Sequence, residues 1–97
     1  MERAAFVLTV RPGLEQAYQD EHTRAWPELI EEARHCGVRN QSVYLHGRTI
    51  FVYMEAANVE ECLRKLAVAP VNARWDRFME AFIEPETVRL LEIFHMD

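Results

Sequence analysis

Glycine is scarce in this chain, with only three among 97 residues, so no glycine-rich loop is available to cradle a nucleotide phosphate. The Gly-x-Ser-x-Gly turn of a serine hydrolase is missing as well. Cysteine is scarcer still. Cys36 and Cys62 stand alone, and no Cys-x-x-Cys, His-x-His or His-x3-His spacing accompanies them. Metal sites need three or four convergent ligands, so neither a metal centre nor a disulfide framework is expected, and reduced thiols suit a cytoplasmic protein. No run approaches the roughly 18 apolar residues of a membrane span, and Met1-Glu2-Arg3-Ala4 does not read as a signal peptide. Positive charge is thinly spread: 11 Lys and Arg face 16 Asp and Glu, for a net charge of −5. The longest basic run is Arg64-Lys65, which excludes the clustered basic face that nucleic acid requires.

What remains is the balance of a soluble globule, 49% apolar and 28% charged. The length suits a single domain over residues 1–97 that buries roughly 60% of its unfolded surface. Such a chain supports one core and a shallow site.

The apolar pattern orders the elements. Residues 3–10 are β-forming and stop at Pro12-Gly13, which predicts the first strand. From Leu14 to Cys36 apolar positions recur at helical spacing, closed by Gly37. Pro27 interrupts that helix, because proline removes a backbone donor and disfavours the α conformation at Trp26; carbonyls left unpaired by the break are expected near His22. Val38–His46 and Thr49–Glu55 read as strands joined at Gly47-Arg48. Asn58 can cap a helix through Ala67, and Pro70 opens another through Phe82. After Glu84-Pro85-Glu86, a last strand is predicted over Val88–His95. The order βαββαβ is the ferredoxin-like split motif of an α+β fold. Its helices cover one sheet face. The other carries apolar side chains that must avoid water, which predicts a homodimer.

Tyr18, His22 and Trp26 lie four apart and share one helical face. An imidazole exchanges a proton near neutral pH, while a phenol and an indole add flat surfaces with polar tips. His22 is therefore the candidate catalytic residue and Tyr18 a candidate ligand contact, whereas Trp26 is expected to anchor helix against sheet. Trp75 beside Asp76 offers a second pairing, a ring for the C–H face of a sugar and a carboxylate for its hydroxyls. His35, His46 and His95 sit at element ends or along the last strand and suggest no site.

Ala5-Phe6-Val7, the string Tyr18-x3-His22-x3-Trp26-Pro27-Glu28-Leu29, Gly37, Asn40-x3-Tyr44-Leu45 and later Arg74-Trp75 and Met79 closely resemble the L-rhamnose mutarotase family. That resemblance implies a dimeric α+β barrel of ferredoxin-like subunits, which interconverts the anomers of L-rhamnose with neither metal nor organic cofactor. It implies that His22 donates the proton, that Tyr18 contacts the sugar, and that Trp75 is the first of two adjacent tryptophans in the sugar site. Two positions depart from the family pattern. Asp76 stands where the second tryptophan is usual, and Gln41 where a sugar-contacting tyrosine is usual. Both exchange an aromatic surface for hydrogen-bonding capacity, which bears on which aldose the site takes. The rival expectations are a cofactor-free monooxygenase or isomerase on the same scaffold, and a non-catalytic ligand-binding module.

Overall fold

A computed structural model describes residues 1–96. The elements are β1 (Glu2–Thr9), α1 (Glu15–Thr23), α2 (Pro27–Cys36), β2 (Val38–His46), β3 (Thr49–Ala56), α3 (Val59–Val68), α4 (Pro70–Met79) and β4 (Val88–Arg89). The strands form one antiparallel sheet in the order β2-β3-β1-β4. This is the expected ferredoxin-like α+β fold.

Local chemistry explains the boundaries. Pro27 occupies the first turn of α2, and Trp26 before it is extended (φ −62°, ψ 129°), as a residue preceding proline must be. The break is stitched rather than left open. Ala25 N–H donates to the His22 carbonyl at 3.2 Å, and Leu29 N–H donates to the Trp26 carbonyl at 3.0 Å. The His22 carbonyl is thus paired, and the expectation of unpaired carbonyls near the break does not hold for it. Gly37 ends α2 at φ 113°, which favours glycine. Gly47 takes φ 59° at the first central position of the β2–β3 turn, as a type II′ hairpin demands. Asn58 caps α3 by accepting from Glu61 N–H at 3.0 Å.

Alternation sorts the side chains. Ala4, Phe6 and Leu8 of β1 pair with Met54, Val52 and Ile50 of β3, and all six face the helices. Under those helices lie two packed clusters, one around Ala4, Val38, Met54 and Cys62, the other around Val10, Tyr18, Ile50, Trp75 and Met79. The opposite face is uncovered. Tyr44, Phe51 and Val88 are 61%, 42% and 53% exposed there.

Two boundaries differ from expectation. Helix α4 stops at Met79 rather than Phe82, because Phe82 and Ile83 N–H groups both turn back to the Met79 carbonyl. The turn carries Ile83 to a bridge with Val10 at the sheet edge. The last strand shrinks from Val88–His95 to Val88–Arg89. Leu90 N–H still donates to the Ala5 carbonyl and Glu92 pairs with Arg3, but the ladder goes no further. β4 is an edge strand, and among the described residues of a single chain nothing pairs with its outer side or covers the apolar residues that follow. Leu91, Ile93, Phe94 and Met96 are accordingly 79–90% exposed.

Candidate active site

The helix break, the sheet and α4 enclose one cleft of about 720 Å³. Its lining includes Tyr18 and His22 from α1, Gln41 from β2, and Trp75 and Asp76 from α4. All five residues singled out in the sequence therefore share a cavity. Trp26 is not among the lining residues. Its ring packs edge-on against Trp75, with centroids 5.1 Å apart, and against Phe78 at 5.6 Å. Its ring contacts are with α4, where the sequence suggested an anchor of helix against sheet.

Helical spacing brings the first two groups together. The Tyr18 hydroxyl lies 3.3 Å from His22 Nε2, the two sharing one proton whose side depends on the imidazole tautomer. Tyr18 is only 4% exposed, and burial pushes its pKa up to about 12, so the phenol keeps its proton. For His22 burial lowers the pKa, and the Tyr18 backbone one turn back opposes that shift. No well-formed hydrogen bond reaches Nδ1, which is buried without a partner. Trp75 presents its ring to the imidazole edge-on, with centroids 5.4 Å apart. The ring is thus a largely neutral base at neutral pH, held between a phenol and an indole.

Gln41 reaches the cleft because of an irregularity in β2. Val38 pairs with Ala56, but Asn40 pairs with Glu55, so one extra residue sits between them. This bulge turns Gln41, Val43 and Leu45 onto the helix side, opposite Met54, Val52 and Ile50. Without it Gln41 would face away. One trace was legible: the apolar positions of β2 slip from even at Val38 to odd at Val43 and Leu45.

Asp76 is open to solvent at the cleft wall. Burial of its surroundings raises its pKa, and the Glu80 carboxylate one turn on adds to the rise. Its hydrogen-bond partner is Asn72 Nδ2 at 3.4 Å, which also donates to the Leu66 carbonyl at 3.1 Å. Asn72, Arg34 and Arg39 also line the cleft and were not singled out in the sequence, and Asn40, quoted there only as part of the family-like string, lines it too. Asn72 alone carried a signal, its i−4 spacing from Asp76. The apolar wall comes from Leu29, Val43, Val52, Met54 and Leu66. Among the described residues, no three His, Cys, Asp or Glu side chains are grouped as metal ligands. Among them, too, no helix is long and apolar enough to cross a membrane.

The chain matches known proteins over its full length. A family model described as L-rhamnose mutarotase covers residues 3–96. An L-rhamnose mutarotase of Oceanobacillus iheyensis is 33% identical, with 100% of each chain covered. The corresponding protein of Opitutus terrae is 35% identical at the same coverage. In three dimensions the chain resembles the crystal structure of an L-rhamnose mutarotase from Formosa agariphila, at 27% identity, a TM-score of 0.86 and 100% of each chain covered. By its sequence over nearly its whole length, and by a fold that sequence shares, the chain belongs to the L-rhamnose mutarotase family.

Proposed function

We propose that this chain interconverts the α and β anomers of L-rhamnose or a closely related aldose, using His22 as a general acid–base group and no cofactor. The observation that carries the reading is an imidazole set between a phenol and an indole in a cleft of about 720 Å³ in a mutarotase-family fold.

Mutarotation opens the cyclic hemiacetal and closes it again on the other face of C1. One group protonates the ring oxygen as another takes the proton from the anomeric hydroxyl. On closure the two protons return. An imidazole, which exchanges a proton near neutral pH, can serve both directions, and burial, by lowering the His22 pKa, favours its neutral form. Trp75 offers its ring to a C–H face of the sugar, the Tyr18 hydroxyl offers a hydrogen bond, and Gln41 and Asp76 face the hydroxyls. The methyl group of a 6-deoxy sugar finds apolar company in Val43, Val52 and Met54, so the loss of two family aromatics does not leave the cleft wholly polar.

The active species is a homodimer. Support comes from the exposed Tyr44, Phe51 and Val88 on the outer sheet face and the exposed apolar residues after β4. A second copy stacked sheet on sheet covers them. Two free thiols, Cys36 and Cys62, agree with a cytoplasmic setting.

The test is anomer exchange by saturation-transfer proton NMR on L-rhamnose. Wild-type protein is expected to transfer saturation between the α and β anomeric signals faster than buffer does. His22→Asn should lose most of this, on the order of 10²–10⁴-fold, with an unchanged circular dichroism spectrum. Wild-type exchange no faster than buffer overturns the mutarotase reading.

A further inference from the structure

Ring opening needs two proton transfers, and the mutarotase reading on which this inference rests assigns only one of them, to His22. A partner must reach the same bound sugar. Three carboxylates lie beside His22 or the cleft: Asp20, Glu21 and Asp76. Asp20 accepts from Gln16 Nε2 at 3.0 Å on the exposed side of α1, and Glu21 pairs with Arg24 at 2.8 Å. Neither lines the cleft. Asp76 does, and among the described residues it is the sole carboxylate that does so.

The surroundings of Asp76 also suit a base. Among the described residues no cation pairs with it; its hydrogen-bond partner is the neutral amide of Asn72, at a long 3.4 Å. That amide is itself tied to the Leu66 carbonyl at the end of α3, so it holds the carboxyl in place without occupying it fully. His22, Trp75 and Asp76 line the same cleft, with the Trp75 ring 5.4 Å from the imidazole. We propose that Asp76 is the second proton-transfer group of the reaction, taking the proton from the anomeric hydroxyl while His22 delivers one to the ring oxygen.

The step balances without any redox change. With His22 entering as the imidazolium, the minor form that its lowered pKa leaves at neutral pH, the bond between C1 and the ring oxygen breaks, the ring oxygen gains the His22 proton, O1 loses its proton to the Asp76 carboxylate, and C1=O1 forms. After rotation about C1–C2, the ring oxygen attacks the other face of C1. Its proton returns to His22, and Asp76 returns its own to O1. Burial and the Glu80 charge raise the Asp76 pKa, which strengthens the carboxylate as a base. The charged neighbour on its own helix is Glu80, and the charged and titratable groups that line the same cleft are His22 from α1, Arg34 from α2 and Arg39 from β2; α3 contributes the Leu66 carbonyl, which holds Asn72.

The experiment compares wild type, His22→Asn, Asp76→Asn and Asp76→Glu in L-rhamnose anomer exchange, resolved into kcat and KM across pH. Asp76→Asn is expected to lower kcat on the order of 10²-fold or more with KM little changed. The fall of kcat on the acid side of the wild-type profile should vanish in that variant. Asp76→Glu, which restores the carboxylate, should recover part of kcat. Should Asp76→Asn lack a native circular dichroism spectrum, the wild-type profile decides, since kcat that shows no acid-side fall anywhere in the pH range where the protein stays folded overturns the proposal. Asp76→Asn with wild-type kcat overturns it too, as does a change confined to KM. A loss of kcat that leaves the acid limb intact counts against it equally. None of these outcomes touches the mutarotase reading, which falls only if wild-type protein fails to exchange the anomers.

Discussion

Replacing Tyr18 by phenylalanine removes one oxygen and little else. The ring sits in the cluster of Val10, Ile50, Trp75 and Met79 and is 4% exposed, so its packing survives the change. What disappears is the 3.3 Å contact with His22 Nε2. That distance is long for a hydroxyl and a ring nitrogen, which places the interaction toward the lower part of the net range of about 0.5–1.5 kcal/mol. The cleft also lets water replace the lost partner at Nε2. At about 1.36 kcal/mol per factor of ten, the range corresponds to a fall in anomer exchange of about two- to thirteenfold. The contact that opposes the lowering of the His22 pKa comes from the Tyr18 backbone, which the substitution keeps. The pH at which exchange changes through His22 titration should therefore stay put while the rate drops. Saturation-transfer rates on L-rhamnose between pH 5 and 8 check both points. A loss beyond about a hundredfold would make Tyr18 itself the proton carrier and refute the assignment of that role to His22. No loss at all would mean that the hydroxyl helps neither imidazole nor sugar.

Three further outcomes are expected. Phe51→Arg puts a charge on the outer sheet face beside Tyr44 and Val7; sedimentation should show the wild type at twice the 11.4 kDa chain mass and the variant near the chain mass itself. The lowered His22 pKa means that the unfolded chain binds the proton more readily, so folding stability is intact above about pH 6.5 and falls as pH drops from there toward the lowered value. Thermal melts should accordingly show a shallower acid loss in His22→Asn than in wild type. Gln41→Tyr returns an aromatic surface to the cleft and should raise the exchange ratio of L-rhamnose to L-mannose, which differ by one hydroxyl, by as much as about 10–200-fold; an unchanged ratio would place Gln41 outside the sugar's reach.

Local rules carried most of the fold. Pro27, Gly37, Gly47 and Asn58 each constrain their own backbone, so the helix break, the helix end, the hairpin and the cap were all legible in the sequence. Tyr18 and His22 share the α1 face that their spacing predicted, but Trp26 lies beyond the end of that helix, extended before Pro27, and does not join them on it. Features set by distant partners were not legible. Phe82 keeps helical spacing from Phe78, yet the chain leaves the helix before it, because Ile83 gains a bridge to Val10 some seventy residues away in sequence. The segment after Arg89 has the composition of a strand but no neighbour in one chain to complete its ladder. Asn72 likewise acquires its place from the Leu66 carbonyl, a backbone group that no side-chain pattern announces. The aromatic departures at Gln41 and Asp76 were visible by resemblance, but the bulge that turns Gln41 inward rests on the pairing of β2 with β3.

The edge-to-face stack of Trp26, Trp75 and His22 also makes the protein its own spectroscopic probe. The chain has two tryptophans, and both lie in this stack, Trp75 with its ring centroid 5.4 Å from the imidazole and 5.1 Å from the other indole. An excited indole gives up an electron to an imidazolium more readily than to a neutral imidazole. Emission therefore dims as His22 takes up its proton, with no third tryptophan elsewhere to dilute the signal. A fluorescence titration of the unlabelled protein thus reads the protonation of one side chain, and adding sugar during the titration shows how far an occupied cleft moves it.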